Sequence, residues 1–190
     1  MLWPGKLINC LIKLLNFLNF KFMNEQKRFL LIEILVVVAV IGLIGTLAAV
    51  AVSSARSNSR DAVRLSNVRQ MQSALEDHFV ARNAYPVVSE VTALGFGSAG
   101  CLTINGFQAT CDASTEGVLT RAVPATLGIG LDGLSSCGGA VNAYCYLANE
   151  DGSTYVIQFE LEHAISLAEL VKGLNCATPE GMKAGACKGF

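Results

Sequence analysis

The clearest hydrophobic pattern of the chain begins at Phe29 and continues for 24 residues, to Val52. Between Ile34 and Val52 no residue is charged, and Thr46 is the one clearly polar side chain. At about 1.5 Å per residue, a helix of this length spans roughly 36 Å, enough to cross a hydrocarbon core about 30 Å thick. A buried helix of a soluble protein seldom runs this long without a polar face. The pattern therefore predicts a transmembrane helix over residues 29–52.

Beyond this run, apolar residues recur every three to four positions, the spacing of an amphipathic helix. The resulting stripe comprises Leu65, Val68, Met71 or Gln72, Leu75 and Phe79. No proline interrupts residues 29–85, and Pro86 disfavours helical conformation at the residue before it. We therefore expect the helix to continue through residues 53–84, with the stripe packed against the rest of the chain.

The last part of the chain, residues 85–190, has the pattern of strands and turns. In the segment YCYLANEDGSTYVIQFELE, the apolar set Tyr155, Ile157, Phe159 and Leu161 alternates with Thr154, Val156, Gln158 and Glu160. This alternation after the turn residues EDG predicts a β-hairpin whose more apolar face packs on the helix. The two matches to G-x-G-x-x-G, residues 95–100 and 128–133, follow no strand-turn-helix pattern and predict turns. The expected fold class is α+β, with a long N-terminal helix on a small antiparallel sheet.

Composition and charge narrow the possible functions. The chain is 52% hydrophobic and 15% charged, against about 25% charged in a typical soluble domain. Residues 84–190 contain four basic and ten acidic residues, which disfavours binding to nucleic acid. His78 and His163 are the only histidines, and neither accompanies a nucleophile motif or a metal-ligand pair. We therefore expect no enzymatic activity, no cofactor and no metal.

The residues before the span indicate its orientation. Glu25 alone opposes five basic residues there: Lys6, Lys13, Lys21, Lys27 and Arg28. This bias places the N-terminal end in the cytoplasm, although arginines also follow the span closely. We interpret residues 1–28 as a leader. Within it, residues 1–22 are either an artefact of start-site choice, with Met23 as the true start, or an amphipathic surface helix.

The cysteines support export of the distal domain. Cys10 precedes the span, and the other six follow it: Cys101, Cys111, Cys137, Cys145, Cys176 and Cys187. An even number in a small domain indicates disulfides formed in an oxidising compartment, whereas the alternative is buried free thiols. Of 15 possible connectivities, we favour sequential pairing of 101 with 111, 137 with 145 and 176 with 187, because each pair closes a short loop containing glycine.

Three arginines spaced by four, Arg56, Arg60 and Arg64, share one face of the predicted helix. They are interpreted either as a solvated face beside lipid headgroups or as an electrostatic contact with a neighbouring subunit.

Glu33 is the one acid near the start of the apolar run. A carboxylate inside a membrane helix costs up to a few kcal/mol, less near the end of the helix, and usually has a partner or a task. No basic residue within the span is available to pair with it. The positive charge could instead come from a neighbouring chain, as a freshly cut amino terminus at Phe29. The alternative is that Glu33 has no partner and is tolerated because its side chain snorkels to the membrane–water interface.

The segment RFLLIEILVVVAVIG resembles the N-terminal signature of type IV pilins and of the pseudopilins of type II secretion. The resemblance implies leader cleavage between Arg28 and Phe29 by a prepilin peptidase, N-methylation of Phe29, and Glu33 as the assembly glutamate. In that family Gly nearly always precedes the cut, where this chain has Arg28, and FLLIE replaces the commoner Phe-Thr-Leu-Ile-Glu.

The resemblance also implies partners and a location. The partners are other copies or related pilins through the N-terminal helix, membrane lipid, a membrane platform and an assembly ATPase. The location is a single-pass cytoplasmic membrane protein with an exported C-terminal domain, and the cell surface or pilus after assembly. The hypothesis is a pilin-like subunit of a type IV pilus or pseudopilus filament. The alternative is a signal-anchored protein whose exported, disulfide-bonded domain binds a ligand without polymerising.

Overall fold

The structure is a computed structural model that describes residues 30–126 and 128–189, with side chains from Glu33 onward. The chain divides into two units, Met1–Val52 and Ser53–Phe190. In the first unit the described residues form the beginning of helix α1 (Leu30–Arg82), and the helix ends in the second unit. The predicted continuation of the helix past the apolar run is therefore observed. Asn83 follows it with a φ of 57°, and its N–H donates to the Phe79 carbonyl at 2.6 Å.

The described residues of the second unit form ten short strands. In chain order they are β1 (Thr92–Ala93), β2 (Cys101–Thr103), β3 (Gly106–Gln108), β4 (Val118–Thr120), β5 (Ser136–Cys137), β6 (Ala140–Val141), β7 (Cys145–Ala148), β8 (Tyr155–Leu161), β9 (Gly173–Thr178) and β10 (Gly181–Ala184). The main sheet has the order β1-β7-β8-β9-β10, and all its neighbouring strands are antiparallel. Smaller antiparallel sheets are formed by β3-β2-β4 and by β5-β6. Single 3₁₀ turns occur at Gly97–Ala99 and Ser166–Ala168.

The core of the second unit lies between the helix stripe and the main sheet. Leu65, Val68, Met71 and Leu75 are buried in one cluster with side chains of β7, β8 and β9, and Phe79 is partly buried against it. The periodicity read from the sequence is therefore confirmed at the level of individual positions. The layout is α+β, as expected: a helix packed against antiparallel sheet.

The predicted hairpin is formed by β7 and β8, with Cys145 opposite Gln158 and Ala148 opposite Tyr155. The apolar set of β8 is buried in the core, as expected from its alternation. The second face of the strand is covered as well, because Gln158 and Glu160 are also buried. Sequence alternation separated the two faces of β8 but did not reveal that loops pack over the polar one.

Candidate functional site

The predicted assembly residue, Glu33, lies in the first turn of α1. The positive end of the helix dipole favours an acid at this position. Its side chain is exposed, and among the described residues it has neither a hydrogen bond nor an ion pair. Arg28 and Phe29, the predicted cleavage site, lie outside the described residues.

The side chains that follow Glu33 are apolar and uncovered. Leu47 is 63% exposed and Val50 is 71% exposed, and other large apolar side chains between residues 34 and 52 are exposed too. The hydroxyl of Thr46 donates to the Leu43 carbonyl at 2.8 Å, so this polar group is satisfied within the helix. Within the described part of the chain, one helix, Glu33–Arg82, is long and apolar enough to cross a membrane. This helix and the distal disulfides fit a single-pass membrane protein with an exported domain.

A buried ion-pair cluster in the second unit contains two of the three arginines of the predicted stripe. Arg60 donates from Nε to Glu162 Oε1 at 2.6 Å and from Nη2 to Glu162 Oε2 at 2.5 Å, a bidentate pair. Arg64 is completely buried, and its Nη1 donates to Asp61 Oδ1 and Glu162 Oε1, both at 2.7 Å. Its Nη2 donates to the Ile129 carbonyl. We call Arg60, Asp61, Arg64 and Glu162 the ion-pair cluster.

Backbone N–H groups donate further hydrogen bonds to Asp61. Its Oδ1 accepts the N–H of Glu162 and its Oδ2 accepts the N–H of His163, both at 2.9 Å. The His163 ring nitrogen Nδ1 is 3.4 Å from Oδ2. The helix is therefore attached to the chain just after β8 through both main-chain and side-chain hydrogen bonds.

The electrostatics of the ion-pair cluster are balanced. Two guanidinium groups face two carboxylates, so the formal charges sum to zero. The hydrogen bonds from Arg60, followed by those from Arg64, outweigh the cost of burial and lower the pKa of Glu162 to about 2. The same contact with Glu162 raises the pKa of Arg60. A buried pair whose members satisfy one another specifies a geometry more than it adds net stability.

The loop of residues 128–135 is fixed by carboxylates of β8 and the residue after it. Glu160 accepts the N–H groups of Asp132 at 2.7 Å and Leu134 at 2.8 Å. Gly130 has a φ of 80°, and a Cβ at this position would collide with the carboxylate of Glu162. The second G-x-G-x-x-G match is therefore a loop that passes close to the ion-pair cluster, and the positive φ at residue 130 favours glycine there.

The interpretation of the arginine stripe as a solvated face is wrong for Arg64, which is completely buried. Arg60 pairs with Glu162, and Arg64 pairs with both Asp61 and Glu162, within the same chain. The contact with a neighbouring subunit stays a prediction. Arg56 alone is exposed. The signal that was available in the sequence is the i,i+3 spacing of Asp61 and Arg64, together with two acids, Glu160 and Glu162, at the end of the β8 pattern.

The described part of the chain contains three disulfides: Cys101–Cys111, Cys137–Cys145 and Cys176–Cys187. They are the sequential pairs favoured from the sequence. The first joins β2 to the segment after β3, the second joins β5 to β7, and the third joins β9 to the segment after β10. Because the strands are only two to seven residues long, these crosslinks hold elements that have few ladder hydrogen bonds of their own.

The remaining candidate chemistry is sparse in residues 30–126 and 128–189. No group of three or more His, Cys, Asp or Glu side chains in that part of the chain is arranged to hold a metal ion. His163, which follows β8, contacts Asp61. His78 lies on α1, and its Nδ1 is 2.8 Å from the Ala84 carbonyl. Comparisons with models of known families, with curated proteins and with solved structures found no match to this chain.

Proposed function

We propose that this chain is a pilin-like structural subunit that a prepilin peptidase cuts between Arg28 and Phe29. The processed subunit polymerises through its N-terminal helix into a type IV pilus or pseudopilus filament. A membrane platform and an assembly ATPase act on it in the cytoplasmic membrane. The exported domain is displayed at the cell surface once the filament forms.

The observation that carries this proposal is the uncovered apolar surface of α1 before residue 53. Exposed apolar area of this extent requires either lipid or other protein as its surroundings. Lipid covers it before assembly, and the helices of neighbouring copies cover it in a filament. The exchange is feasible because helix packing replaces lipid contacts without loss of hydrophobic burial.

Glu33 favours one axial offset between neighbouring helices when helix packing replaces lipid contacts. A carboxylate that has no described partner within its own chain is costly in hydrocarbon, and a neighbour's amino terminus at Phe29 supplies the opposite charge. Wrong axial offsets leave the acid unpaired, so the pair selects one register. The disulfides of the distal domain support display in an oxidising compartment.

One residue favours the alternative function. Arg28 stands where the resembling family has Gly. If the peptidase does not accept Arg28, the chain stays an uncut, signal-anchored protein with an exported binding domain, and the amine of Phe29 never forms. Mass spectrometry of the N-terminus from native membranes distinguishes the two: we expect a methylated Phe29, and an intact leader would contradict the proposal.

Glu33→Ala tests the role of the acid directly. We expect filament incorporation, measured as the sheared fraction from cells, to fall by about tenfold or more. Insertion should not be impaired, because the substitution removes a charge that is costly within the span. Asp77→Asn is the matched control, since Asp77 is exposed on the same helix and has no described partner. Equal incorporation of Glu33→Ala and Asp77→Asn would exclude the register role.

A further inference from the structure

A groove of about 520 Å³ lies within the second unit, between the end of α1, the segment of residues 85–92 and the turn between β2 and β3. This volume is in the range of small-molecule sites, roughly 300–1,000 Å³. Its walls combine apolar side chains, among them Val87, Ile104 and Phe107, with the polar groups of His78 and Arg82. None of the functions discussed above uses it.

Arg82 is oriented in the groove but not neutralised. Its Nε donates to the Ile104 carbonyl at 2.7 Å, and its Nη2 donates to the side-chain oxygen of Asn105. Both acceptors are uncharged, and no carboxylate pairs with Arg82 among the described residues. A guanidinium has five N–H donors, so three remain for a ligand. The β2–β3 turn therefore fixes a cation whose charge has no counterpart among the described residues.

His78 provides a second polar group at the same place. Its side chain is 5% exposed, and its Nδ1 lies 2.8 Å from the Ala84 carbonyl. A carbonyl only accepts hydrogen bonds, so Nδ1 carries the proton and Nε2 is left without a partner among the described residues. Burial, and the nearby charge of Arg82, lower the pKa of His78. The ring is therefore neutral near pH 7 until a negative charge arrives.

None of the other residues that line the groove carries a negative charge to offset Arg82. The hydroxyl of Tyr85, which also lines the groove, donates a hydrogen bond to Glu76 Oε1 at 2.9 Å. Segment 85–92 includes Glu90, which does not line this groove, and the residues of the β2–β3 turn are uncharged. The groove thus has no acidic lining, in a domain where acids outnumber bases. A negatively charged ligand is the chemistry that this arrangement favours.

We propose that this groove binds a small organic carboxylate, whose carboxylate meets Arg82 and His78 while its apolar body lies against Val87 and Phe107. Arg82 supplies a planar pair of donors that matches a carboxylate. Phe107 is held by an edge-on contact with Tyr146, with ring centroids 5.1 Å apart, so the apolar wall is fixed before the ligand binds.

Protonation of His78 is linked to binding. A bound carboxylate favours the imidazolium, whose Nε2–H then donates to it. The affinity therefore rises as the pH falls through the pKa of His78 in the complex.

The test uses the full chain in lipid nanodiscs and 4-fluorobenzoate, observed by ¹⁹F nuclear magnetic resonance. Empty nanodiscs correct for partition into lipid, and 4-fluorobenzamide is the neutral probe of the same shape. We expect saturable binding of the acid, strengthening several-fold from pH 8 to pH 6, and about tenfold weaker binding of the amide. No saturable binding, or equal binding of acid and amide, would overturn the proposal without recourse to any variant.

Amino-acid substitutions then test which side chains contact the bound probe. Arg82→Gln should weaken binding by about tenfold, whereas Arg69→Gln, at an exposed arginine of the same helix, should leave it unchanged. His78→Asn keeps an amide donor for the Ala84 carbonyl and should abolish the pH dependence. Near-ultraviolet circular dichroism verifies folding of each variant. Equal affinities of Arg82→Gln and Arg69→Gln, or an unaltered pH profile in His78→Asn, count against the site.

Discussion

Residues 34–52 and residues 53–82 belong to one helix, yet their apolar side chains have different surroundings. In the first region apolar residues occupy every face, and large ones such as Leu35 and Val50 are exposed. In the second region most large apolar residues form one stripe, of which Val68 and Leu75 are buried in the core, and Val63 and Val80 lie outside it. Apolar character alone therefore does not identify a protein core; the period of the pattern does, because a single stripe has one internal partner and a continuous run needs an external one.

Charged residues show the same contrast. Glu33, immediately before the first region, has no described partner, whereas Asp61 and Arg64 in the second are paired within the domain. A charge that is satisfied inside its own chain specifies the fold of that chain. A charge at an apolar, membrane-type helix that is not satisfied within its own chain is a candidate for contact with another molecule.

The largest effect expected from this contrast is that of Arg64→Ala. The substitution leaves the carboxylates of Asp61 and Glu162 buried with less compensation, and should lower the free energy of unfolding by about 3–5 kcal/mol. Urea unfolding in detergent, followed by the near-ultraviolet circular dichroism of the buried tyrosines, measures it. Arg56→Ala is the matched control, because Arg56 is exposed, and should change stability by less than about 0.5 kcal/mol. Identical unfolding midpoints for the two variants would show that the ion-pair cluster does not hold the domain together.

The ion-pair cluster also marks the limit of prediction from the sequence. The apolar stripe, the hairpin and the cysteine pairs are local patterns, readable from period, turn residues and loop length. Arg60 and Glu162 are 102 positions apart, and only the fold brings them together. The sheet of β2, β3 and β4 is likewise not evident, because strands of three residues are too short to show an alternation.

Two leucines, one in each region, test whether the two regions differ in their contribution to stability. Leu75 is completely buried, and Leu75→Ala should lower the free energy of unfolding by about 2–5 kcal/mol through lost burial and a residual cavity. Leu47 is exposed, so Leu47→Ala should change the same quantity by less than about 0.5 kcal/mol. The same urea experiment serves for both variants. A comparable loss in Leu47→Ala would mean that the first region is part of the folded core, and the distinction between the regions would fail.

The smallest effect concerns acid sensitivity, which should originate in the second region. The folded-state pKa of Glu162 is about 2, below its ordinary value of 4.5. A carboxylate with a lowered pKa contributes stability that is complete above the unfolded value and is lost as the pH falls toward the folded one. We therefore expect the urea midpoint to be constant from pH 7 to about pH 5 and to decline between pH 4.5 and 2.

The acid dependence has two controls within the chain. Glu162→Gln should start from a lower midpoint and decline less over the same interval, because its side chain does not titrate. Asp112 also has a lowered pKa, through hydrogen bonds from Ser114 and Thr115, but it is exposed, so its contribution is screened by solvent. Asp112→Asn should therefore retain most of the decline. If Glu162→Gln declines as steeply as the unmodified chain, the acid sensitivity arises elsewhere and the ion-pair cluster is not its source.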